Sequence, residues 1–278
     1  MQRIAGQGSP RDLGLDQGRA CREAVRADAR ALGWEGERGW LAMLRRGSGA
    51  RPGRALARDL ARHFPHLDER VAGLAAGAGL PREALLALLE EELAGAPLLA
   101  AGVAPAAGGA PRVVLRLRAP LPPTGLVVRE AHPDGAYPFL ALTRPALVVA
   151  LAGVNQRGLA GAIDRLEGPA ARGGGRDRCA VSGALLLDQC LERLDSVEKA
   201  LEWCERRPAG GCTRLVFADA AGAAGAIDLD GERRTRCEPD ALEPARDERE
   251  AWCELDPAGR ALTLREPDRS AERLALAP

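Results

Sequence analysis

Residues 153–159 read GVNQRGL and separate the apolar run ALVVALA from a second apolar run, AGAI. A glycine, an asparagine and a second glycine between two hydrophobic segments are typical of a β-hairpin. The pattern predicts one strand over Leu147–Leu151 and a second over Gly158–Asp164. Asn155 lies between them, so its side chain either shapes the turn or points its amide at a bound carbonyl group.

The pattern of apolar residues changes at Gly95. Apolar residues before it recur at helical spacing, over Asp12–Leu32, Ala55–His63, Leu67–Ala76 and Arg82–Glu92. After it, short apolar runs predict strands at Arg112–Arg118, Gly125–Glu130, Phe139–Thr143, Leu215–Asp219 and Gly225–Leu229, with helices at Val181–Arg193 and Ser196–Arg206. This order predicts an α+β domain with helices packed on antiparallel sheets. The tail from Arg246 onward is charged, and only Trp252 and an ALTL run look able to anchor it.

Composition excludes several classes of function. The chain has 278 residues, of which 46% are hydrophobic and 3% aromatic, so its core must be built from leucine, alanine and valine. A formal net charge of +0 gives no electrostatic reason to expect nucleic acid or an anionic membrane as partner. The N-terminus, MQRIAGQGSPRDLGLDQG, shows no apolar segment of signal-peptide length, and no part of the sequence reaches the roughly 20 apolar residues that a membrane span needs. We therefore expect a cytoplasmic protein.

Cysteine and histidine give no metal or cofactor signal. The seven cysteines are widely spread and form no C-x-x-C pair, which argues against a zinc site or a disulfide framework. His63 and His66 flank Pro65 with no third ligand near them in the sequence. We expect surface histidines there, no metal site and no cofactor.

Two glycine-containing segments precede the strands. Residues 8–18, GSPRDLGLDQG, read as a loop that enters a helix, with Asp12 as the N-cap and glycines that allow close helix packing. Residues 64–80, FPHLDERVAGLAAGAGL, read as a helix with a glycine at its C-terminus and a turn into the next helix.

These two segments and the hairpin, in this order, resemble the acyl-CoA:6-aminopenicillanic-acid acyltransferase family. Its members are cysteine N-terminal-nucleophile hydrolases. The likeness spans roughly residues 8–230 and rests on the ordered set of motifs. It implies a four-layer αββα sandwich with an N-terminal helical segment. Residues 1–95 would correspond to the family's pro-segment and residues 96–278 to the αββα core, the two forming one integrated domain.

The family's chemistry gives each site position a role. A cysteine that becomes the new N-terminus attacks an amide or thioester, with its own α-amino group as base. An asparagine amide and backbone N–H groups stabilise the oxyanion. By this resemblance Ala96 stands at the nucleophile position and Ala119 at that of a downstream aspartate. Arg116 is retained, and Asn155 occupies the oxyanion position.

The resemblance therefore implies a degenerate homologue, catalytically inactive and without autocleavage. It would keep a pocket for a small acyl- or peptide-like ligand, or a surface for a partner protein. Two alternatives stay open. One is an active amidohydrolase or acyltransferase with a different nucleophile. The other is a purely structural chain within a homo- or hetero-oligomer.

Cys179 is the candidate nucleophile for the active alternative. It follows the basic stretch RGGGRDR and precedes the helix predicted from Val181, and both features would lower a thiol pKa. A Cys–His pair would require His132, although the segment His132–Gly135 reads as a β-turn.

Overall fold

The structure is a computed structural model that describes residues 2–34, 53–95, 99–105, 110–117, 125–164, 181–243, 251–266 and 269–276. These residues form seven helices and thirteen strands. The helices are α1 (Pro10–Ala20), α2 (Arg22–Ala31), α3 (Arg54–His63), α4 (Pro65–Ala78), α5 (Arg82–Gly95), α6 (Leu185–Arg193) and α7 (Val197–Arg206).

The strands make two sheets. The larger sheet contains β1 (Gln2–Gly8), β4 (Val127–Pro133), β5 (Phe139–Thr143), β6 (Ala152–Asn155), β7 (Leu159–Asp164), β8 (Cys212–Asp219), β9 (Ala224–Asp230) and β10 (Arg233–Cys237), in that spatial order. The smaller sheet has the order β13 (Glu272–Ala275), β12 (Ala261–Arg265), β11 (Ala251–Asp256), β3 (Arg112–Leu117) and β2 (Leu99–Ala104). Adjacent strands are antiparallel, except that β1 pairs with β4 in parallel.

The two sheets pack face to face, since β2 and β3 contact β7 and β8, and β12 contacts β5 and β6. Helices α1, α6 and α7 pack on the other face of the larger sheet. In the described parts of the chain, all the extensive helix–sheet contacts involve the larger sheet. The predicted α+β class is confirmed, with helices against a largely antiparallel sheet.

The hairpin is confirmed but begins later than predicted. Strand β6 starts at Ala152, and the predicted strand Leu147–Leu151 is wrong, because those residues form a buried turn. An apolar run shows that a segment is buried, but not whether it is extended. Side chains satisfy much of the backbone of this turn, and its last residue, Leu151, bonds to Leu142 of β5 and Ile163 of β7.

The predicted bounds and cap of several helices also need correction. The helix predicted over Asp12–Leu32 is two helices that meet at Cys21. Ser9, not Asp12, is the N-cap of α1, and Asp12 completes a capping box by accepting from the backbone N–H of Ser9. The helix predicted from Val181 begins at Leu185.

Several strands were absent from the prediction. Strand β1 is rich in glycine, alanine and glutamine and lies at a sheet edge, so it lacks the usual strand composition. In the tail, β11 alternates buried Ala251, Cys253 and Leu255 with half-buried residues, which is the period of a strand packed on one face. The tail completes the smaller sheet with β11, β12 and β13.

Glycines bring α1 and α4 into backbone contact, as predicted. A methyl group added at Gly14 would collide with the carbonyl oxygen of Arg70, and one at Gly18 with that of Leu74. Gly73 faces the backbone of α1 in the same way. This approach fixes α4 against the helix that packs on β1 and β4.

No single helix in the described residues is both long and apolar enough to cross a membrane. The consecutive helices α4 and α5, bent by 112°, pass that test only when taken together.

Candidate functional site

Asn155 ends strand β6 and is completely buried. Its Nδ2 donates to the carbonyl oxygens of Leu191, at 2.8 Å, and Leu194, at 2.7 Å. Its Oδ1 accepts from the backbone N–H groups of Arg157 and Leu159, both at 3.0 Å. The side chain therefore closes the hairpin turn and, with both amide hydrogens, holds the end of helix α6.

Arg116 lies on β3 and points away from the larger sheet. It alternates with Leu115 and Leu117, which belong to the buried core, while its guanidinium donates to the carbonyl oxygen of Glu243 at 2.8 and 3.1 Å. Asn155 reaches the helical layer on the opposite side of the sandwich. The structure does not bring Asn155 and Arg116 together, because both sheets lie between their side chains.

The remaining predicted positions, Ala96, Ala119 and Cys179, lie outside the described residues. One argument for Cys179 changes nevertheless. Because α6 begins at Leu185 rather than Val181, its N-terminus lies further along the chain than the predicted site of thiolate stabilisation. His132, the partner that Cys179 would need, contacts the carboxylate of Glu130 at 3.2 Å.

Several cysteines of the described residues have a raised thiol pKa. Burial raises the pKa of Cys21 to about 11 and raises that of Cys190 and Cys253 further. Burial also raises the pKa of Cys212 and Cys237, with help from nearby aspartates. A nucleophilic cysteine needs a lowered pKa, so none of these five thiols is activated as a catalytic nucleophile.

A buried ionic cluster, formed by Arg70, Arg129, Asp188 and Glu192, was not predicted from the sequence. Arg70 on α4 donates to Asp188 and Glu192 on α6, both at 2.6 Å. Arg129 on β4 donates to the same oxygen of Asp188 at 2.9 Å. Two guanidinium groups face two carboxylates, so the buried ionic cluster balances its own charge.

The pKa values of the two arginines in the buried ionic cluster shift in opposite directions. Burial opposes the charge of Arg70, but Glu192 and Asp188 outweigh it and raise the pKa of Arg70. For Arg129 burial prevails over the attraction of Asp188, and its pKa is lowered. The positive charge of Arg129 is thus stabilised less than that of Arg70. Arg129 also contacts the buried turn.

Arg129 and three other side chains satisfy much of the backbone of the buried turn, residues 147–151. Arg129 donates to the carbonyl oxygen of Val148 at 2.8 Å, and Asp188 accepts from the N–H of Ala150 at 2.7 Å. Gln17 of α1 donates to the carbonyl oxygen of Leu147 at 2.7 Å, and Thr143 donates to that of Val149 at 2.6 Å. Buried backbone outside helices and sheets needs such partners, so the buried ionic cluster has an evident structural role.

His66 lies beside the buried ionic cluster and is half-buried, so the expectation of a surface histidine is wrong for it. Its Nε2 contacts the side-chain amide of Gln189 on α6. Burial, together with the positive charges of Arg193 and Arg70, lowers the pKa of His66 to about 4, which keeps the ring neutral. Among the described residues, no three His, Cys, Asp or Glu side chains are placed to hold a metal ion.

The sequence matches no known family model and no curated protein. Among solved structures, the chain is similar to penicillin V acylase from Agrobacterium tumefaciens, with 15% sequence identity and a TM-score of 0.36. The match covers 54% of this chain and 54% of that acylase, so it spans about half the length of each protein.

Proposed function

We propose that this chain is a non-catalytic homologue of the cysteine N-terminal-nucleophile hydrolases. It would share the packed pair of sheets with the αββα sandwich of that family and bind a small acyl- or peptide-like ligand or a partner protein. The ordered glycine and asparagine motifs support the family. Alanine at positions 96 and 119 supports the loss of chemistry, because a methyl group neither attacks a carbonyl nor orients an amine.

The observation that carries this proposal is the hydrogen bonding of Asn155. An oxyanion hole needs donors that are already aimed at the developing charge. Both N–H donors of Asn155 are used by the carbonyl oxygens of Leu191 and Leu194. Turning the amide toward a substrate would leave buried carbonyls unpaired, at a cost of about 1–3 kcal/mol each. In this chain the asparagine stabilises the fold.

The second candidate function is an active amidohydrolase or acyltransferase that uses Cys179. The basic stretch RGGGRDR before that cysteine favours a reactive thiol. Labelling with iodoacetamide at neutral pH separates the candidates. One fast-reacting cysteine at position 179 would favour the active enzyme, and uniformly slow thiols would favour the binding protein.

A turnover assay tests the leading proposal directly. The purified chain, the C179A variant and the A96C variant are each incubated with an aryl thioester and an acyl amide. We expect no turnover from the first two proteins. We expect none from A96C either, since a restored thiol would still lack the oxyanion donors of Asn155. Turnover by the original chain that disappears in C179A would overturn the proposal in favour of the second candidate.

A further inference from the structure

Helices α6 and α7 present two cysteines to each other. The sulfur atoms of Cys190 and Cys204 lie 3.8 Å apart, and both side chains are completely buried. The two helices follow each other in the chain and are joined by the short segment 194–196. A pair of thiols in direct contact is chemically different from the isolated buried thiol of Cys253.

We propose that Cys190 and Cys204 are a redox-sensitive pair that closes into a disulfide between α6 and α7. A disulfide bond is about 2.05 Å long. Starting from 3.8 Å, the two sulfur atoms must approach each other by less than 2 Å to reach that length. Neither sulfur has to leave the interface between the two helices.

The cross-link would act on a helix that already organises the core. Helix α6 carries Asp188 and Glu192 of the buried ionic cluster. At the C-terminal end of α6, the side-chain amide of Asn155 donates to the carbonyl oxygens of Leu191 and Leu194. Joining α7 to α6 therefore fastens the C-terminal helix pair to the part of the fold that positions the hairpin turn.

The reaction is a two-electron oxidation, for which hydrogen peroxide is a sufficient oxidant. One thiolate attacks the peroxide and becomes a sulfenic acid, and the second thiol displaces water from it to form the S–S bond. Two thiols and one peroxide thus yield one disulfide and two waters. Because both side chains are buried, the oxidant enters only when the helix pair opens, and the finished disulfide is shielded from reductants in the same way.

Mass spectrometry tests the proposal on the whole chain. The protein is treated with hydrogen peroxide, its remaining thiols are alkylated under denaturing conditions, and it is cut with endoproteinase Asp-N and trypsin without reduction. This places Cys190 in the peptide 188–193, DQCLER, and Cys204 in the peptide 200–206, ALEWCER, with no other cysteine in either. We expect these two peptides to be joined, and to separate after reduction.

A thermal measurement adds a readout of the linked state. Closing the chain between residues that are 14 apart restricts the unfolded state, so the oxidised protein should melt roughly 5 °C or more above the reduced one. The C253A variant, which removes a buried thiol elsewhere, should show the same cross-link and the same shift, whereas C190A and C204A should show neither. Peptides 188–193 and 200–206 that stay separately alkylated after oxidation of the original chain, or become linked to other cysteines, would overturn the proposal.

Discussion

The Nδ2 atom of Asn155 lies 2.8 Å from the carbonyl oxygen of Leu191 and ties the hairpin turn of the larger sheet to the end of helix α6. The asparagine is thus a bridge between two layers of the fold. It is buried and makes four hydrogen bonds to backbone groups. A residue whose position in the sequence indicates catalysis has a complete structural explanation.

Replacing Asn155 should therefore cost stability. The N155A variant loses four hydrogen bonds and leaves buried backbone groups unpaired, so its free energy of unfolding should fall by about 2–4 kcal/mol. N155D should lose a similar amount, because a carboxylate cannot donate to Leu191 and Leu194. Urea unfolding measures both. Q156A, at a half-buried neighbour, should stay within about 1 kcal/mol. Equal stability of N155A and the original chain would refute the structural role.

The buried ionic cluster should behave as a balanced unit. R70M removes one positive charge and leaves Glu192 without its partner, which should cost about 3–5 kcal/mol. The double variant R70M/E192M removes one charge of each sign and leaves Arg129 with Asp188. It should recover much of that loss. A double-mutant cycle by urea unfolding measures the coupling, and strictly additive losses would show that the residues act independently.

The glycine contacts between α1 and α4 should reverse the usual effect of alanine in a helix. Alanine normally stabilises a helix by about 1 kcal/mol relative to glycine. At Gly14 the added methyl collides with the carbonyl oxygen of Arg70. We expect G14A to lower the melting temperature clearly, and the A76G variant, at an exposed site on α4, to cost at most about 1 kcal/mol. Stabilisation by G14A would contradict the close packing.

His66 should make stability depend on pH. Its pKa is about 4 in the folded protein, below the ordinary value of 6.5, so the unfolded chain binds a proton that the folded chain does not. Stability should fall as the pH drops from about 6.5 to about 4 and should lose this dependence below that. In H66Q the slope over this window should be smaller. An unchanged slope in urea unfolding at several pH values would rule out His66 as its source.

The sequence predicted local features better than distant ones. The turn around Asn155 follows from a short asparagine and glycine pattern, but its contacts with Leu191 and Leu194 join segments far apart in the chain. Residues 147–151 were predicted as a strand because an apolar run looks the same in a strand and in a buried turn. Residues 147–150 bond instead to the polar side chains of Gln17, Thr143, Arg129 and Asp188.

Charged residues of the core were harder to recognise. Arg70 and Asp188 are 118 residues apart, and nothing local distinguishes Arg70 from the surface residues of α4. A partial signal existed in α6, where Asp188 and Glu192 follow a run of three leucines at a spacing that puts both on one face. Two acids on the buried face of a helix require cationic partners, but the sequence does not say which arginines supply them.

The central claim, that this chain lacks the chemistry of a self-processing hydrolase, is tested most directly by its intact mass under denaturing conditions. Alanine at position 96 and the fully used amide of Asn155 predict a single uncut species of 29.3 kDa. Two fragments divided next to Gly95 would contradict this account, because they would require a working nucleophile at a position where the sequence has a methyl group.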